Sequence, residues 1–154
     1  DHQTRKVFND ILGFRAFCDS YDQILEEENI REIKSYIHAP GYIANTDLAA
    51  LYCGAFAFLY PSLRESFGIP MLEAMACGTP IIAGNTSAMP EIAGEGALLA
   101  DPFNSNDITE KILQLENDQT LYQQQVEYGI QRSQLFSWRN TAESLLKIYK
   151  EFAK

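Results

Sequence analysis

The sequence predicts an α/β domain, a parallel β-sheet flanked by helices, and three observations lead there. Residues 55–60 (Ala-Phe-Ala-Phe-Leu-Tyr) are a wholly apolar run between Gly54 and Pro61, as expected of a strand buried on both faces. Shorter apolar runs recur at residues 80–83 and 97–99, each followed by turn residues. Helical patterns alternate with these runs, which implies βαβ units, a parallel sheet and right-handed crossovers. At 154 residues and 46% hydrophobic, the chain is long and apolar enough to bury a core as a single domain spanning residues 1–154.

The elements follow in order. Val7, Ile11, Leu12, Phe14 and Phe17 form an irregular helical stripe within residues 7–28, interrupted by Gly13 and ending in the acidic run Glu26-Glu27-Glu28. Residues 33–37 alternate with period two, like a strand, until Ala39-Pro40-Gly41 breaks them. Asn45 or Thr46 is suited to cap a helix carrying Leu48, Ala49, Leu51 and Tyr52, with Gly54 as its end. After the strand at 55–60 and a loop, residues 70–77 make a short apolar helix, stopped by Gly78 and Pro80. Strands at 80–83 and 97–99 are separated by the turn-rich Gly84-Asn85-Thr86-Ser87. Ile108, Ile112 and Leu115 mark one helix face, and residues 121–135 continue the helical pattern. Ser137 caps a last helix whose stripe is Trp138, Ala142, Leu145, Leu146, Tyr149 and Phe152. That stripe is expected to pack on the domain.

Composition excludes some functions. Twelve Lys+Arg against 21 Asp+Glu give a net charge of −9, which disfavours nucleic acid and anionic membrane as partners. Cys18, Cys53 and Cys77 cannot all pair, and Cys53 and Cys77 fall in helical patterns, so a reducing, cytoplasmic compartment is expected, with both as small core residues. No apolar run reaches 18 residues, so no transmembrane segment is expected. The opening residues lack an initiator Met and any signal-peptide pattern, so the chain is expected to begin inside a domain of a larger protein.

Ligands of parallel α/β sheets bind beyond the carboxyl ends of the strands. Loops 39–46, 61–70 and 84–90 qualify, and the second carries the most chemistry. Pro70 suits the first helical position, and the Met71 and Leu72 amides would then stand free at a helix start, a place for a phosphate-like anion. Gly68 lets a ligand approach the backbone. Glu65 and Glu73 flank this point. Glu73 reads either as a charge complementing the helix dipole or as an acceptor for a vicinal diol such as a ribose. Glu65 reads either as a loop acid beside Arg64 or as a charge facing a sugar. Asn85-Thr86-Ser87 reads equally as a plain turn or a ligand-facing loop.

Residues 65–73, Glu-Ser-Phe-Gly-Ile-Pro-Met-Leu-Glu, resemble the Glu-x7-Glu motif of the retaining group 1 glycosyltransferases (glycosyltransferase family 4). Pro40-Gly41-Tyr42, residues 48–52, residues 58–62, residues 73–80, Met89-Pro90-Glu91, Asp101-Pro102 and Phe136-Ser137-Trp138 extend the resemblance over roughly residues 33–152. It implies the C-terminal, Rossmann-like, donor-binding half of a GT-B architecture, lacking its N-terminal acceptor domain and its own first strand. By position, Glu65 would be the catalytic-site acid beside the donor sugar, and Glu73 would hold the ribose hydroxyls. Phe67, Gly68 and Ile69 would meet sugar hydroxyls through backbone groups, Met71 and Leu72 the diphosphate, and the turn containing His38, Gly41 and Tyr42 the base. A structural role for His38 at a strand end is the plainer reading.

The resemblance further implies a UDP- or GDP-sugar donor as substrate, a carbohydrate or lipid-linked acceptor held by the missing domain, and no cofactor or metal. The full-length parent would be a hexosyltransferase-like enzyme, cytoplasmic or peripheral to the membrane, and this chain alone is expected not to transfer sugar efficiently. The family's basic diphosphate partners are not placed: Arg5 and Lys6 are candidates, or the pair precedes this chain. Ser66 stands where Gly is commoner. The alternatives are a non-catalytic nucleotide-binding module and a glucan synthase- or phosphorylase-type domain.

Overall fold

The structure, a computed structural model, describes Tyr36, His38 and residues 40–153. The chain divides into two compact units, Asp1–Asn45 and Thr46–Lys154. The expected helix at 7–28, with Cys18, and the candidate cations Arg5 and Lys6 lie outside the described residues. Of the expected strand at 33–37 only Tyr36 is described, and it is exposed.

Helix α1 spans Asn45–Gly54. It starts at Asn45 itself, so Asn45 and Thr46 lie within the helix instead of capping it. Strands β1 (Phe58–Tyr60), β2 (Ile81–Gly84) and β3 (Leu98–Ala100) form a parallel sheet in the order β1-β2-β3. Phe58 pairs with Ile81 and Tyr60 with Ala83; Ile82 pairs with Leu98 and Gly84 with Ala100. Between them lie α2 (Ile69–Ala76) and α3 (Met89–Ala93), and α4 (Ser105–Asn117), α5 (Gln119–Gln134) and α6 (Trp138–Phe152) follow.

Every residue of β2 is buried, and its period-two alternation feeds two apolar layers. Ile81 and Ala83 join Met71, Ala74 and Met75 of α2 and Met89, Ile92 and Ala93 of α3. Ile82 faces the other way, onto Ala100 and Leu115, with Ile108, Ile112, Leu121 and Tyr122 around them. Both helices that connect the strands therefore lie on one face, and α4 covers the other. Met71, Met75, Ile81 and Met89 are fully buried, each contributing about 1.5–3 kcal/mol relative to exposure.

The expectation of a strand buried on both faces is met by β2 and not by residues 55–60. Only three residues of that run are extended, and Leu59 remains 46% exposed. Among the described residues β1 is an edge strand, so it lacks the second neighbour that would cover it. β3 lies one residue later than the sequence suggested.

Helix termini are set by local hydrogen bonds. The Asn104 side chain accepts from the amides of Asn106 and Asp107, Asp118 from Leu121, and Ser137, as expected, from Asn140. Such caps each contribute about 1 kcal/mol. Helix α5 runs against α2, where Gly129 leaves only ordinary van der Waals room beside Met75.

Two core assignments are corrected. No residue of α6 is buried, and Trp138, Tyr149 and Phe152 are 86%, 68% and 82% exposed. Its stripe has the spacing of a core face but meets no layer within the described residues. Cys53 is exposed and Cys77 half-buried, both as free thiols, because each sits at a helix end instead of on an inward face. Burial pushes the Cys77 thiol pKa up, aided by a hydrogen bond with Cys53.

Candidate functional site

The chain leaves β1 in a tight turn, with the Ser62 amide donating to the Tyr60 carbonyl at 2.8 Å. The loop that follows is tied to the end of β2. Thr86 Oγ1 lies 3.3 Å from the Ser62 carbonyl and 3.2 Å from that of Leu63, and donates to them. Ser87 Oγ accepts from the Glu65 amide at 3.2 Å and donates to the Glu65 carbonyl at 2.6 Å. Ser87 adopts a φ of 58°, a left-handed conformation that costs about 1–3 kcal/mol outside glycine. Thr86 and Ser87 thus tie the turn after β2 to the loop after β1. Ser87 alone of these holds the Glu65 backbone.

The two acidic side chains are each met by a phenol. Tyr60 Oη donates to Glu65 Oε1 at 2.6 Å, and Glu65 is half-buried. Burial and then this bond push the Tyr60 phenol pKa up to about 12. Tyr52 Oη, from α1, donates to Glu73 Oε2 at 3.4 Å. Its pKa is also raised, by burial first and then by the Glu73 charge. The rings form a ladder: Tyr52 meets Phe58 edge-on at 5.3 Å, and Phe58 stacks on Tyr60 at 5.5 Å.

Gly68 sits buried at the turn into α2 with φ 93°, a conformation open to glycine and costly for other residues. A side chain here would lie 3.6 Å from the Tyr60 ring, so space is available and the backbone angle is the constraint. Ile69 and Pro70 open the helix, one residue earlier than expected. The Met71 amide is not free, because it donates to the Gly68 carbonyl at 3.0 Å. The Met71 side chain is buried in the core and Leu72 half-buried, while Ile69 and Glu73 are exposed. Phe67 packs edge-on against Phe136 at 5.7 Å. Arg132 lies over the Phe136 ring and donates to the Glu91 and Ile92 carbonyls of α3.

Glu65, Phe67, Gly68, Ile69, Met71, Leu72 and Glu73 therefore share one loop–helix segment at the carboxyl end of β1. The first unit holds His38, Gly41 and Tyr42: His38 is exposed, Gly41 has φ 75°, and Tyr42 is 67% exposed. Among the described residues no three His, Cys, Asp or Glu side chains are grouped to hold a metal ion. Tyr60 and Tyr52 are the partners of the two acids that sequence reasoning did not single out, whereas Thr86 and Ser87 lie in a loop it had offered either as a plain turn or as ligand-facing. For Tyr60 the available signal was position alone, since it closes β1 at the carboxyl edge where parallel α/β sheets generally bind ligands.

Residues 11–132 match the family model described as glycosyl transferases group 1. The chain belongs to that family. Its members here include the "O-antigen chain mannosyltransferase B" of Escherichia coli, 36% identical over 149 residues that cover 96% of this chain. The "MMP alpha-(1->4)-mannosyltransferase" of Mycolicibacterium hassiacum is 31% identical over 84% of this chain. Among solved structures, sucrose-phosphate synthase from Thermosynechococcus elongatus aligns over 89% of this chain with a TM-score of 0.76 and 28% identity. The parallel sheet and flanking helices are those of a Rossmann-like GT-B domain. This group 1 glycosyltransferase chain spans 39% of the length of the Escherichia coli protein and 34% of the synthase. No helix among the described residues is long and apolar enough to cross a membrane.

Proposed function

We propose that this chain is the donor-binding part of a retaining mannosyltransferase that takes a nucleoside-diphosphate sugar, GDP- or UDP-linked. The observation that carries the reading is the placement of Glu65 and Glu73 on either side of the Gly68 turn and the start of α2, in a chain whose relatives bear mannosyltransferase names. The positive end of α2 faces the developing charge of the departing diphosphate, and stabilising that charge lowers the barrier more than it tightens substrate binding. Glu73, exposed in the first turns of the helix, accepts hydrogen bonds from the ribose hydroxyls. Glu65 stands beside the donor sugar, where positive character grows at the anomeric carbon as the glycosidic bond breaks. The acceptor, a carbohydrate or lipid-linked glycan, is bound by the rest of the full-length protein.

The test is transfer from GDP-mannose and UDP-mannose by the full-length protein, with the first-formed product read by NMR. The reading expects turnover with one donor and retention of its anomeric configuration. Inversion, or turnover with neither donor, overturns it. The structural likeness to a sucrose-phosphate synthase favours one second reading, a product that carries a phosphate, and the same assay with hexose phosphates as acceptors distinguishes it.

A further inference from the structure

We infer that Tyr60 is a positioning residue for Glu65: its phenol holds one carboxylate oxygen so that the other faces the donor sugar, an inference that rests on the role of Glu65 proposed above. The Glu65 main chain is already fixed at both polar groups by Ser87 Oγ, at 3.2 Å and 2.6 Å. What remains free is the side chain, with three rotatable bonds. The Tyr60 bond to Oε1, at 2.6 Å, has the short length of an O–H donor to an ionised carboxylate. It occupies one of about four lone-pair positions on that carboxylate and leaves Oε2 for a substrate.

Tyr60 is itself held. Its ring stacks on Phe58 at 5.5 Å and lies beside Gly68, where even a methyl group would approach it to 3.6 Å. Strand β1 therefore supplies the side-chain anchor, and the end of β2 supplies the backbone anchor. A phenylalanine at position 60 would fill the same space, so the hydroxyl contributes the hydrogen bond and little packing. A carboxylate held before reaction stabilises developing positive charge without reorganising at that moment.

The experiment is a double-mutant cycle on the full-length protein with Tyr60→Phe and Glu65→Gln. Tyr60→Phe is expected to lower kcat by about 10- to 100-fold through misplacement of the carboxylate, with the donor KM within about twofold. In the Glu65→Gln background the same substitution is expected to change kcat no further, because Tyr60 acts through Glu65. An unchanged kcat in Tyr60→Phe, or equal losses in both backgrounds, overturns the proposal in favour of a purely structural tyrosine. The 13Cζ resonance of Tyr60 supplies a readout independent of activity. It is expected to stay in the protonated position to higher pH in the wild type than in Glu65→Gln, and identical titrations mean the bond is absent and the proposal fails. Should the wild type transfer no sugar, positioning toward a donor falls together with the functional reading, and the resonance then shows whether the bond itself was also misjudged.

Discussion

Gly84 and Gly129 are both glycines in packed surroundings, yet they answer differently to a methyl group. A Cβ at Gly84 would stand 2.7 Å from the Ser62 carbonyl oxygen, backbone against backbone, so neither side yields cheaply. Gly84→Ala is expected to destabilise the fold by about 1–3 kcal/mol, as overpacking typically does, and to loosen the loop that carries Glu65. At Gly129 the nearest atom is Met75 Cγ at 3.4 Å, on a flexible side chain. Gly129→Ala is therefore expected to raise the chemical-denaturation midpoint, since helix propensity favours Ala by about 1 kcal/mol. At this scale the sequence exposed Glu65 and Glu73, because their spacing sits in a long stretch of ordered context. It did not expose Tyr60 as a partner of Glu65. A tyrosine closing an apolar run reads as core, and only the turn at Pro61 brings its hydroxyl back to the loop.

Among the elements, α2 and α6 make the instructive contrast. The start of α2 was legible from Gly68 and Pro70, although the amide of Met71 is consumed by the Gly68 carbonyl, a detail of cap geometry that residue types do not encode. Helix α6 has a well-spaced apolar stripe, but spacing reports a face and not what covers it. Because Leu145, Leu146 and Ile148 are each about half exposed, Leu146→Ser in this chain is expected to shift stability by no more than about 0.5 kcal/mol, as for surface sites generally. A loss of several kcal/mol, read from denaturant unfolding, would show the stripe to be buried in solution. The opposite holds for Met75, whose side chain is fully enclosed and whose truncation to Ala is expected to cost about 2–5 kcal/mol. Strand β1 was overextended in the reading because an apolar run does not reveal how many of its residues have a neighbouring strand to pair with.

For the whole molecule, the order of strands and helices was legible because apolar runs and stop signals alternate regularly along residues 45–152. The layering was not, since it depends on which face of β2 each helix meets. Stability should carry a signature of the two phenols. A tyrosine whose pKa is higher folded than unfolded keeps its proton in the native state after the unfolded chain has lost it. Its contribution is complete below the unfolded value near 10 and is lost as pH rises through the folded value, about 12 for Tyr60. Unfolding free energy is thus expected to fall between about pH 10 and 12, and less steeply in Tyr60→Phe than in the wild type. The central claim is that the carboxyl end of β1 and the start of α2 hold a nucleoside diphosphate, with Glu73 on its ribose. Calorimetric titration of the chain with GDP, UDP and ADP tests it most directly, with Glu73→Ala and Glu65→Ala alongside. Saturable binding of one nucleotide, weakened about tenfold or more by loss of the Glu73 hydrogen bonds and less by Glu65→Ala, is the predicted result; binding indifferent to Glu73, or no binding to any of the three, would contradict it.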